Sequence, residues 1–132
     1  MVATDASDLG YGWVIMDVHG NILLESGFLR YDDKLQGAHI YLQEVHAACE
    51  GIKAAKKKWP DLVSVYLVLD NTAACGSFRR SFSSNTSAME MMIPVFALSV
   101  FLHVVAVTSA MNVSDSPSRN APIEPVRISL TL

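Results

Sequence analysis

The stretch VATDASDLGYGWVIMDVHGN, Val2 to Asn21, decides the fold. An apolar run reaches Thr4 and delivers a carboxylate, Asp5. Small residues follow, then a second apolar run from Tyr11 to Val18 and a His-Gly-Asn turn. Gly20 and Asn21 tolerate the positive φ that tight hairpins require. The pattern predicts one strand over Val2 to Ser7, a second over Tyr11 to Val18 and a third returning over Ile22 to Leu29. The acid in the first strand needs a reason. A buried, unpaired carboxylate is costly, so such a group is paired, protonated or bound to a metal, or else it sits in a surface turn.

Working outward, RYDDKLQGAH is a polar loop, and from about Leu42 the period changes. Val45, Ala48, Cys49, Ile52 and Ala55 fall at helical spacing. Lys56, Lys57 and Lys58 close that helix, where cations suit the dipole, and Pro60 stops it. LVSVYLVLD is apolar on both alternating faces, the pattern of a central strand covered on both sides, and it ends on a second conspicuous acid, Asp70. A short helix is expected from Thr72 to about Phe82, and another from Ser87 to Val100 with Pro94 as a kink. A last buried strand spans Phe101 to Thr108, with His103 in the core. The segment Met91 to Val107 is too short for a membrane span and contains Pro94 and His103. The order β-β-β-α-β-α-α-β implies an α/β fold. Its five-stranded mixed sheet has an antiparallel and a parallel half, with helices on its faces.

The 132 residues suggest one domain. About half are apolar and 17% are charged, a composition that supports a packed core and argues against disorder. The net charge of −3 gives no general basic signature, so nucleic-acid binding would need a local patch and metal ions. Cys49 and Cys75 have no zinc-type spacing and fit a reducing compartment. Asp5 and Asp8 interrupt any signal-peptide core. Met1 before Val2 is expected to be an added initiator on an excised domain.

Four carboxylates stand out: Asp5 on the first strand, Glu44 in the first turn of the first helix, Asp70 at the end of the fourth strand and Asp115 after the last. Parallel neighbours would bring Asp5 and Asp70 together at one sheet edge, and the helix start can present Glu44 there. Clustered carboxylates suit Mg²⁺ or Mn²⁺, and two such ions serve phosphoryl transfer. Each acid also has a plainer role. Asp5 fits a turn, Glu44 a helix dipole, Asp70 a cap before Asn71, and Asp115 a cap before Pro117.

The blocks TDAS (Thr4–Ser7) with GYGWVIMD (Gly10–Asp17), HIYLQEVHAACEGI (His39–Ile52), VYLVLDNTAAC (Val65–Cys75) and VTSAMNVSDSPSRN (Val107–Asn120) resemble those of a ribonuclease H domain. The flavour is that of retrotransposon reverse transcriptases of the tyrosine-recombinase type. The resemblance implies a ribonuclease H-like domain over residues 1–120, a final helix that is short or missing, and an extended tail over 121–132. It implies that Asp5, Glu44, Asp70 and Asp115 are catalytic and hold two Mg²⁺ ions, with Mn²⁺ as an alternative. The implied reaction is endonucleolytic hydrolysis of the RNA strand of RNA–DNA hybrids, leaving 3′-hydroxyl and 5′-phosphate ends. Implied partners are the hybrid and an upstream reverse transcriptase domain, with no membrane and a monomeric isolated domain in the cytoplasm or nucleus. Ser7, Asn71, Arg79 and Arg80 are secondary candidates for nucleic-acid contact, with local capping as the alternative for Ser7 and Asn71. His39 and His46 flank Glu44 without metal-ligand spacing, and Tyr11 and Trp13 fit core packing. The sequence departs from the family in three places. No basic helix follows the second helix, the loop before Asp115 has no histidine, and Ser114 stands where the motif has Ala. A catalytically silent ribonuclease H-like scaffold or nucleic-acid-binding module is the alternative, and another nuclease or a transposase of the same fold is a third reading.

Overall fold

The computed structural model describes residues 1–108 and Asn112. The elements are β1 (Val2–Ala6), β2 (Tyr11–Met16), β3 (Ile22–Glu25), α1 (Ile40–Lys58), β4 (Ser64–Leu69), α2 (Thr72–Arg80), α3 (Thr86–Phe96) and β5 (Phe101–Ala106). They form one sheet in the order β3-β2-β1-β4-β5. The β1–β2 and β2–β3 pairs are antiparallel, and the β1–β4 and β4–β5 pairs are parallel. This is the mixed sheet that the sequence predicts. Asp115, the final helix and the 121–132 tail lie outside the described residues.

The hairpin between β2 and β3 closes around Asp17, whose Oδ1 accepts the backbone N–H of His19 at 2.9 Å and of Asn21 at 3.0 Å. Gly20 takes the left-handed conformation at φ 83°, and Asn21 does not share it. β3 is shorter than the expected strand, because the chain turns at Gly27, φ 65°. Leu29 then rejoins the sheet through a single bridge to Tyr11.

α1 buries the expected stripe of Val45, Ala48, Cys49, Ile52 and Ala55 against β1 and β2. α2 and α3 add Ala74, Cys75, Phe78, Met92 and Val95 to the same core. Full burial of a side chain such as Ile52, Leu67 or Met92 stabilises the fold by about 1.5–3 kcal/mol. α1 ends as expected at its three lysines, and Lys56 Nζ donates to the Leu62 carbonyl at 2.9 Å. Both cysteines are free and buried, and burial pushes the Cys49 thiol up to about 12.

Two sequence expectations are corrected. β5 is not a buried strand. It lies at the sheet edge with Phe101 66% exposed, because nothing among the described residues pairs with its outer side. His103 is accordingly no core residue. It is exposed and stacks on Tyr66 across the β4–β5 pair, with ring centroids 4.9 Å apart. The helix expected over Ser87 to Val100 stops at Phe96, and Ser99 reverses the chain at φ 57°.

Gly51 sets how closely α1 approaches the sheet. A methyl group there would stand 2.7 Å from Thr4 Cγ2, 2.9 Å from Val2 Cγ1 and 3.2 Å from Trp13 Cβ. Contacts this short force the helix outward. Gly51→Ala should therefore lose about 1–3 kcal/mol by overpacking, despite alanine's better helix propensity. Urea unfolding that shows the variant as stable as the parent would contradict this packing.

Candidate metal centre

The β1–β4 ladder contains only two pairs, Val2 with Leu67 and Ala3 with Val68. Extending that register by two residues sets Asp5 beside Asp70. α1 supplies the third acid. Its Glu44 Oε1 accepts the backbone N–H of Ala6, the residue after Asp5, at 3.4 Å. Asp5, Glu44 and Asp70 each present a carboxylate oxygen, and these atoms all lie within 4.8 Å of one another. Asp5 and Glu44 are each 3% exposed, whereas Asp70 is half-buried at the rim. Three negative charges at such separations repel strongly where water is scarce. A charged, all-oxygen donor set of this kind fits a hard divalent cation such as Mg²⁺ or Mn²⁺.

The plainer roles are weakened residue by residue. Asp5 lies inside β1 and not in a turn. α1 begins at Ile40, so Glu44 stands in its second turn rather than its first, beyond the strongest influence of the helix dipole. His39, not an acid, caps that helix, its Nδ1 accepting the N–H of Tyr41 at 3.1 Å. Asn71, not Asp70, caps α2 by accepting the N–H of Ala74 at 2.9 Å. Asp115 lies outside the described residues.

The turn after Asp5 is held by a residue that sequence reading did not single out. The Tyr31 hydroxyl donates towards the carbonyls of Ser7 at 2.8 Å and Gly10 at 2.9 Å. Burial, reinforced by the nearby Glu44 carboxylate, holds the Tyr31 hydroxyl well above its usual range, so it remains a proton donor. Its ring stacks on Tyr11, and His46 meets Tyr11 edge-on at 4.7 Å. Burial also lowers the His46 imidazole below its usual value. Tyr11 is thus a core residue, as expected, and Trp13 packs against the main core. The only sequence signal for Tyr31 was an aromatic residue within a polar loop.

The secondary candidates separate. Ser7 Oγ bonds the Gly10 carbonyl at 3.2 Å, which is the local capping role. Asn71 is likewise a cap. Arg79 turns away, its Nη2 donating to the Val104 carbonyl of β5 at 3.2 Å. Arg80 instead lines a polar groove with Tyr41, Thr72, Ser83 and Asn85. Tyr41, one helical turn before Glu44, ties this groove together through its hydroxyl, 2.6 Å from both Ser77 Oγ and Ser83 Oγ. Asn112, which the sequence placed in the last block without a role, is 3% exposed and donates from Nδ2 to the Thr4 carbonyl at 2.9 Å.

No family model and no curated protein matches the sequence. Solved structures do match by shape. The N-terminal RNase H domain of Rv2228c from Mycobacterium tuberculosis, solved as a fusion with maltose binding protein, superposes with a TM-score of 0.72 at 16% identity, covering 93% of this chain and 97% of that one. RNase H1 from the halophilic archaeon Halobacterium salinarum gives 0.68 at 15% identity, covering 91% and 92%. LC11-RNase H1, solved in complex with an RNA/DNA hybrid, gives 0.71 at 16%, also covering 91% and 92%. The chain therefore has the ribonuclease H fold.

Two outcomes test the geometry. Asp70→Asn removes one of the three converging charges and keeps the shape, so without metal the variant should melt a few degrees higher than the parent. With Mg²⁺ the parent should gain more than the variant, because an ion bound only by the folded state stabilises it. Equal melting points in both conditions would show that Asp70 is not part of an ion site. Tyr31→Phe removes the hydroxyl that the Ser7 and Gly10 carbonyls share and should lose about 0.5–1.5 kcal/mol in denaturant unfolding.

Proposed function

We propose that this chain is a metal-dependent endonuclease that hydrolyses the RNA strand of RNA–DNA hybrids. One observation carries the reading. On a ribonuclease H fold, three acids from β1, α1 and the end of β4 bring carboxylate oxygens within 4.8 Å of one another. Asp5, Glu44 and Asp70 would hold divalent ions, with Asp115 completing the set. Two ions held there would supply an activated water and charge neutralisation at the leaving oxygen in phosphodiester hydrolysis.

The chain's own residues account for the rest. Asp5, fixed by β1, and Asp70, at the mouth of the parallel half, present oxygens from two adjacent strands. Glu44 is oriented by the Ala6 N–H, and we assign it the contact with the RNA 2′-hydroxyl, the group that distinguishes RNA from DNA. Water adds to phosphorus, the bond to the 3′-oxygen breaks, and the products carry 3′-hydroxyl and 5′-phosphate ends. The groove of Tyr41, Thr72, Arg80, Ser83 and Asn85 offers hydroxyl, amide and guanidinium donors for a backbone phosphate about one helical turn from Glu44.

We place this activity in a retroelement polyprotein, downstream of a reverse transcriptase domain and inside the cell. The sequence blocks of the resemblance support this. The linker between α2 and α3, Ser81 to Asn85, contains no basic helix. With a net charge of −3, affinity for a polyanion is expected to rely on a neighbouring domain. No helix among the described residues is long and apolar enough to cross a membrane.

The test is a panel of labelled RNA–DNA hybrid, duplex RNA and duplex DNA with Mg²⁺ or Mn²⁺. Internal cuts confined to the RNA strand of the hybrid are expected, and they should weaken steeply as salt rises. Equal cutting of duplex DNA would overturn the assignment. A hybrid that is bound and left intact would favour a binding module.

A further inference from the structure

We propose that Asn112 is a positioning residue of the metal centre, acting through the backbone of β1. The proposal rests on the metal-dependent reading above and deepens it. The seam between the two halves of the sheet is short. The β1–β4 ladder stops at Ala3 and Val68, immediately before the strands deliver Asp5 and Asp70. Thr4 is the first β1 residue beyond that ladder, and its carbonyl accepts the Asn112 side-chain amide at 2.9 Å. A side chain distant in sequence thus takes the carbonyl next to Asp5 at the point where β1 and β4 stop pairing.

The bond fixes the peptide that leads directly into Asp5, so the direction of the Asp5 carboxylate depends on it. The choice of Asn is chemically specific. It is 3% exposed, and a buried carbonyl requires a donor. Leucine has nearly the same shape and cannot donate. Alanine removes both the shape and the donor.

The experiment uses the full chain and Mn²⁺ alone, measured by titration calorimetry on the parent, Asn112→Leu, Asn112→Ala and the core control Ile52→Val. Hybrid cleavage is followed in parallel. Mn²⁺ affinity should fall at least tenfold in both Asn112 variants and stay within twofold of the parent in Ile52→Val. Cleavage should show a lower kcat with KM for the hybrid little changed. Mn²⁺ affinity within twofold of the parent in Asn112→Leu would overturn the proposal. An equal loss in Ile52→Val would overturn it too, by making the effect one of general stability. If neither Asn112 variant folds, the residue serves the fold alone and the proposal fails. A parent chain that binds no Mn²⁺ defeats both this inference and the metal-dependent reading. A parent that binds Mn²⁺ and leaves the hybrid uncut defeats the substrate reading only, and the affinities still decide the role of Asn112.

Discussion

The absence of a side chain at Gly51 governs the site from two helical turns away. α1 rests on Val2, Thr4 and Trp13 with no methyl group between them. Glu44 lies seven residues earlier, on nearly the same face of the helix. The close approach at Gly51 therefore also lowers Glu44 onto the N–H of Ala6 and into reach of Asp5. A helix held farther out would still bury much of Ile52 and Val45, but its carboxylate would be displaced from the strands. Packing and chemistry share one distance here. The acids are costly to bring together, and the apolar contacts along the rest of α1 hold them there.

The opening stretch of sequence was legible because its signals are local. Period-two apolar residues, a Gly-Asn turn and small residues around Asp5 fix the meander without reference to anything distant. The helix carrying Val45 to Ala55 was equally plain from its period. The nature of β5 was not. Phe101 to Ala106 is apolar in sequence, yet it is an edge strand, and composition does not reveal which strand of a sheet lies outermost. His103 was misplaced for the same reason. At an edge its ring finds Tyr66 rather than the core.

The site was readable as a set of acids and unreadable as an environment. Asp5, Glu44 and Asp70 stand out because each is a charge beside apolar residues. The groups that hold them in place carry no such mark. Tyr31 lies in a polar loop, and its contact with the Ser7–Gly10 turn bridges more than twenty residues. Asn112 meets Thr4 across 108 positions. Asn71 carried two readings in the sequence, a nucleic-acid contact and a local cap, and in the fold it is the cap of α2, a duty that Asp70 does not take.

The brevity of the β1–β4 ladder bears on how the chain folds. The meander β3-β2-β1 closes through hairpins between sequence neighbours, at little loop entropy. β4 must return to β1 across the whole of α1, and only two residue pairs join them. Of the sheet contacts, this has the greatest sequence separation, so its closure carries the largest entropy cost and weighs most on the folding rate. Asp5 and Asp70 stand on opposite sides of that closure. A partly folded chain with an intact meander and an undocked β4 would hold one acid without the other, so the acid cluster would not exist until the sheet was complete.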